Sequence, residues 1–89
     1  MKSVTTKRFR NRFAALPPEI QAEARRAYLI WKDNPAYPAL QFKQVKPEVP
    51  PIYSVRIMNT GYRALGELEG DTVTWRWIGT HDEYLRLIR

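Results

Sequence analysis

The sequence predicts an α+β fold in which an N-terminal helical hairpin packs on an antiparallel β-sheet meander and a short C-terminal helix follows. Three observations predict it. Apolar residues recur at helical spacing up to Trp31, and they alternate with polar ones from Leu40 to Ile78. After them, Thr80-His81-Asp82-Glu83 has the Ser/Thr-x-x-Glu form that opens a helix. With 89 residues, 44% of them apolar, the chain suffices for one domain over 1–89 and leaves no room for a second. No repeat or low-complexity segment interrupts it.

Residues 6–16 read as an amphipathic helix, with Phe9, Phe13 and Leu16 on one stripe and basic residues around it. Thr5 or Thr6 caps its start and Pro17-Pro18 stops it. Pro18 suits the first turn of a second helix, which runs to about Lys32 and lines up Ile20, Ala24, Ala27 and Trp31. Leu40 to Lys43 reads as a strand, broken by Pro47, Pro50 and Pro51. Residues 52–58 alternate, with Tyr53, Val55 and Ile57 against Ser54, Arg56 and Met58. Asn59-Thr60-Gly61 turns the chain into a strand from Tyr62 to Leu68, and Glu69-Gly70-Asp71 turns it again. The last strand, Thr72 to Ile78, is read with Val73, Trp75 and Trp77 on one side.

Composition removes several function classes. Without cysteine there is no disulfide, zinc knuckle or thiol catalyst, and a single histidine excludes a multi-histidine metal site. Four scattered glycines argue against a phosphate-cradling loop. No apolar run approaches the roughly 20 residues of a membrane span, and no leader pattern opens the chain. The expectation is a cytoplasmic protein that needs no cofactor, no metal and no membrane. Its formal charge of +6 points to a polyanion or an acidic protein partner. Lys7, Arg8, Arg10 and Arg12 form an acid-free stretch and, with Lys43 and Lys46, are the candidate RNA- or ribosome-binding residues.

Arg56 and Arg63 fall on consecutive strands joined by a tight turn, each on the side away from the larger apolar stripe. Two guanidiniums on one open sheet face form a phosphate clamp. Arginines on a solvated sheet face are also ordinary, and the alternation alone leaves both readings open. Trp31, Trp75 and Trp77 are assigned to the core rather than to base stacking. His81 would stand in the first turn of the last helix, where a neutral imidazole is favoured, the form proton transfer needs. Tyr84, three residues on, shares its helix face. Spacing alone equally allows Tyr84 to pack its ring on the sheet edge.

Ile52-Tyr53-Ser54-Val55-Arg56-Ile57, Gly61-Tyr62-Arg63-Ala64-Leu65 and Trp77-Ile78-Gly79-Thr80-His81-Asp82-Glu83-Tyr84 resemble the second half of the RelE/ParE toxin superfamily. The helical hairpin with Phe9, Leu16 and Asn34-Pro35 fits as well, so the resemblance covers nearly the whole chain. It implies the toxin of a bacterial type II toxin–antitoxin pair. In the RelE branch this is a metal-independent endoribonuclease that cuts mRNA on the ribosome, with a ribose 2′-hydroxyl attacking the adjacent phosphate. Arg56, Arg63, His81 and Tyr84 are the residues this resemblance makes catalytic, and the partners it implies are a cognate antitoxin, the ribosome and mRNA. Three departures stand out. Ser54 sits where active members can carry a lysine, Leu87 where some place a tyrosine, and Met1–Thr5 is short for the usual N-terminal edge strand. The alternatives are a ParE-type gyrase inhibitor that hydrolyses nothing, and an inactive RNA- or ribosome-binding relative.

Overall fold

The computed structural model describes all residues, Met1–Arg89. Two helices, α1 (Lys7–Ala14) and α2 (Pro18–Asp33), pack on one face of a five-stranded sheet. Its strands are β1 (Lys2–Thr5), β2 (Lys43–Lys46), β3 (Ile52–Ile57), β4 (Tyr62–Glu69) and β5 (Thr72–Thr80), in spatial order β1-β5-β4-β3-β2. A third helix, α3 (His81–Ile88), follows β5 directly and packs on the other face. None of the helices is long and apolar enough to cross a membrane.

The hairpin forms as its sequence dictates. Thr6 caps α1, its hydroxyl accepting the Phe9 amide at 3.1 Å, and α2 begins at Pro18, where a missing N–H costs nothing. Phe9, Phe13 and Leu16 pack against the core from α1 and the turn that follows it, and Ala24, Ala27 and Trp31 are buried from α2. Trp31 is the centre, 1% exposed, with Phe42 and Trp75 edge-on at 5.7 and 5.4 Å. Each such pair adds about 0.5–1.5 kcal/mol beyond area burial. The Trp31 and Trp75 indole N–H groups find no oxygen or nitrogen acceptor in this cluster.

Four features depart from the sequence reading. The sheet is a meander only from β2 to β5, because β1 joins it in parallel alongside β5, pairing Lys2 with Thr72 through Thr5 with Trp75. Four residues suffice because the ladder is extended at both ends by Lys2 N–H to Asp71 O and Thr6 N–H to Trp75 O. The strand expected from Leu40 begins instead at Lys43: Pro38–Leu40 closes a 3₁₀ turn that buries Leu40, and Gln41 follows with φ 46°. Trp77 is not in the core. A bulge at Arg76 pairs Trp75 with Gly66 and Trp77 with Leu65, so Val73 and Trp75 face the hairpin while Trp77 turns to the α3 side. That second face is not left open, since α3 lies across part of it and buries Tyr84.

Candidate functional site

The β3–β4 register places Arg56 directly opposite Arg63. Both belong to the alternation of Ser54 and Leu65, which lie outside the hairpin core, whereas Val55, Ile57 and Ala64 lie within it. Two like charges facing each other across a strand pair destabilise a sheet. Neither arginine has a carboxylate partner to offset this, all four ion pairs lying elsewhere. Arg56 reaches only Asn59 Oδ1, at 3.4 Å.

Arg63 is held on three sides. Its Nε donates to His81 Nδ1 at 3.3 Å, its Nη2 to Gln41 Oε1 at 3.4 Å, and its guanidinium lies 5.1 Å from the centre of the Tyr84 ring. Its Nη1 is buried without any partner. A guanidinium nitrogen can only donate, so His81 Nδ1 accepts and the neutral ring carries its proton on Nε2. The Tyr84 hydroxyl donates to Ser54 Oγ at 3.4 Å, and the His81 and Tyr84 rings are 5.6 Å apart. Ser54 is fully buried beneath Tyr84.

The position of α3 is fixed by its first turn. The Thr80 hydroxyl accepts the Glu83 amide at 3.3 Å, and the Glu83 carboxylate accepts the Thr80 N–H at 3.0 Å and its hydroxyl at 3.1 Å. These bonds, with Arg12 beside it, hold the Glu83 carboxyl below the ordinary carboxylate range. The His81 backbone N–H donates to Gly61 O at 2.8 Å, which ties the start of α3 to the β3–β4 turn and brings the imidazole to Arg63. Gly79 allows this close approach: a Cβ there would meet the Trp77 ring at 2.5 Å and the Arg12 and Glu83 side chains at 2.9 Å.

The six candidate RNA- or ribosome-binding cations do not converge. Lys43 stands opposite Ser54 and extends the Arg56–Arg63 face, and Lys46, opposite Ile52, pairs with Glu48 at 3.9 Å. Arg12 is an internal tether, its Nε donating to Ile78 O at 2.8 Å, its Nη2 3.4 Å from Glu83, and its guanidinium over Trp77. Arg10 donates to the Thr5 carbonyl and hydroxyl and lines a groove between the hairpin and β1, on the far side of the sheet from Arg63. Lys7 is exposed on α1, whereas Arg8 borders a groove on the α3 face. One contributor is invisible to the sequence pattern: Gln41, which reads as a strand residue, has a left-handed backbone that aims its amide at Arg63. Ser54, which the sequence marks as a departure from the family it resembles, lies under Tyr84 and accepts its hydroxyl.

A helical hairpin on one face of a mixed five-stranded sheet, with a C-terminal helix on the other, is the fold of a known class. Residues 18–86 match the sequence model of the ParE-like toxin domain, and the chain belongs to that family. No sequence among the curated proteins matches it. The fold is similar to RelE in a RelB–RelE antitoxin–toxin complex from Methanococcus jannaschii, at a TM-score of 0.72 and 17% identity over 97% of this chain and 99% of that one. It is also similar to an archaeal RelE–RelB complex from Pyrococcus horikoshii, at 0.70 and 11% identity over 89% and 92% of the two chains. The isolated RelE toxin of E. coli superimposes at 0.65 with 14% identity over 99% and 98%.

Proposed function

We propose that this chain is the toxin of a type II toxin–antitoxin pair and cuts mRNA on the ribosome as an endoribonuclease. The observation that carries the reading is the unpaired Arg56–Arg63 couple with His81 and Tyr84 packed against its second member. An RNA phosphate supplies the negative charge that this face lacks. As the 2′-oxygen bonds to phosphorus and the bond to the 5′-oxygen breaks, charge grows on the phosphoryl oxygens, where two guanidiniums stabilise it most. The products are a 2′,3′-cyclic phosphate and a 5′-hydroxyl, whose oxygen takes a proton from water as it leaves. At rest His81 offers Nε2–H, a donor. When the phosphate draws Arg63 away from Nδ1, the ring is free to change tautomer and take the 2′-hydroxyl proton through Nε2. Tyr84 holds Arg63 from above and Ser54 orients Tyr84.

The RelE relatives are solved with RelB antitoxins, and a cognate antitoxin is the partner proposed here. It neutralises the toxin by covering the arginine face or displacing α3. Hydrogen-exchange protection confined to any other surface on adding the antitoxin would count against this.

Primer extension on a defined mRNA in reconstituted translation tests the activity. Wild-type protein should give ribosome-dependent cuts, and Arg63→Ala and His81→Ala should remove them. The match to a ParE-like family favours a second reading, non-hydrolytic inhibition of gyrase. Intact mRNA together with blocked supercoiling would establish that reading instead.

A further inference from the structure

Beyond the C-terminal end of α3, the same sheet face holds a groove of about 370 Å³ that the proposed chemistry does not use. That volume lies at the small end of ligand clefts, which run about 300–1,000 Å³. Its apolar surface comes from Ile52, Leu65 and Trp77 on the strands and from Leu87 and Ile88 on α3. Arg8, Lys46 and Arg76 border it against a single acid, Glu67. Lys46 and Arg76 are paired with Glu48 and Glu67, whereas Arg8 has no carboxylate partner.

Trp77 is the residue that asks for an explanation. The bulge at Arg76 takes it out of the core and leaves it half-buried in this groove, with the Arg12 guanidinium 5.1 Å from its ring centre. The row Ser54–Leu65–Trp77 lies two residues along the strands from the row Arg56–Arg63–Gly79, about 7 Å at the rise of a strand. A flat indole on an apolar floor accepts a flat heteroaromatic ring, and a positive border favours one that carries an anion. We infer that the Trp77 groove is a nucleobase subsite, holding the base of a nucleotide next to the phosphate at Arg56 and Arg63. The inference rests on the proposed action on RNA. It adds that the chain itself grips a base, not the phosphate backbone alone, and that Arg8 takes the phosphate beside that base.

The test is titration of the full chain with a single-stranded RNA hexanucleotide, followed by the indole N–H resonances in NMR. Trp31 and Trp75 are buried and act as internal references for an intact core. The Trp77 resonance should shift while the other two stay in place, and a hexamer with abasic sugars should leave all three unmoved. Trp77→Leu should weaken binding roughly tenfold and Trp77→Phe should restore most of it. Arg63→Met should lose cleavage and still show the Trp77 shift. Equal binding of the two hexamers, or RNA binding that ignores Trp77→Leu, would overturn the subsite. So would a Trp77 resonance that answers to the antitoxin and not to RNA. If ribosomal cuts persist after any of these results, the subsite falls and the nuclease stands. If the shift occurs without cuts, the reverse holds.

Discussion

The two faces of the one sheet are built to different rules. The hairpin face is apolar and self-consistent: Trp31, Phe42, Trp75 and their neighbours bury area, and no charged residue lies within their cluster. The α3 face carries an arginine facing an arginine, a guanidinium nitrogen buried without a partner, and a glutamine at positive φ reaching toward it. The first two are costs an apolar substitution would avoid, and the third is one a glycine would ease. Stability therefore resides on one face, and the other is held in place at some expense to it. Substitutions should separate accordingly, with large losses of stability on the first and losses of function on the second.

Trp31→Ala is the largest expected effect, about 3–5 kcal/mol by denaturant unfolding, because it empties the centre of the aromatic cluster. A domain whose whole stability is about 5–15 kcal/mol would be close to unfolded. Gly79→Ala on the other face should cost about 1–3 kcal/mol, since Trp77, Arg12 and Glu83 must all give way. Its circular dichroism should keep the hairpin and lose α3. A Gly79→Ala loss as large as that of Trp31→Ala would erase the contrast between the faces.

Thr80→Ala should cost about 1 kcal/mol, by removing the cap that starts α3. The same cap sets an acid response. Because the folded protein holds the Glu83 carboxyl below its unfolded value of about 4.3, these bonds stabilise α3 above that pH and fade as pH falls through the folded value. A fluorescence change at Trp77 below about pH 4, absent in Glu83→Gln, is the expected outcome. The smallest effect is that of Tyr84→Phe, about 0.5 kcal/mol, because the bond to Ser54 is a single long one. Its ring stays over Arg63, so cleavage should fall far less than in Arg63→Ala. At neutral pH, nitrogen NMR should find the His81 proton on Nε2, and a ring protonated on Nδ1 would remove the Arg63 contact from the account.

The difference between the faces also decides what the sequence could disclose. Periodicity marks residues that share one environment, so the Ala24–Ala27–Trp31 stripe and the alternation of β3 and β4 were legible. The capping box was legible too, because its two partners are three residues apart. Arg56 and Arg63 could be placed on one face for the same reason: a tight turn fixes their register. Trp77 faces the other way from the alternation because one extra residue in β5 reverses every side chain after it, and nothing local in Trp-Arg-Trp signals a bulge. β1 gives little local signal because its partner lies about 70 residues away. Gln41 acquires its role only from a tertiary contact with Arg63, and the burial of Ser54 under Tyr84 is likewise a contact that no spacing rule reaches.

Arg63→Met tests the division of labour most directly, because it removes a half-buried guanidinium that has no carboxylate partner and whose Nη1 is buried without any hydrogen bond, and keeps its apolar bulk. Unfolding midpoint and ribosome-dependent cleavage are to be measured on the same preparation. The account predicts a midpoint unchanged or raised and cleavage lowered by about 10²–10³-fold. A lowered midpoint with cleavage retained would contradict it, and would make Arg63 a structural residue.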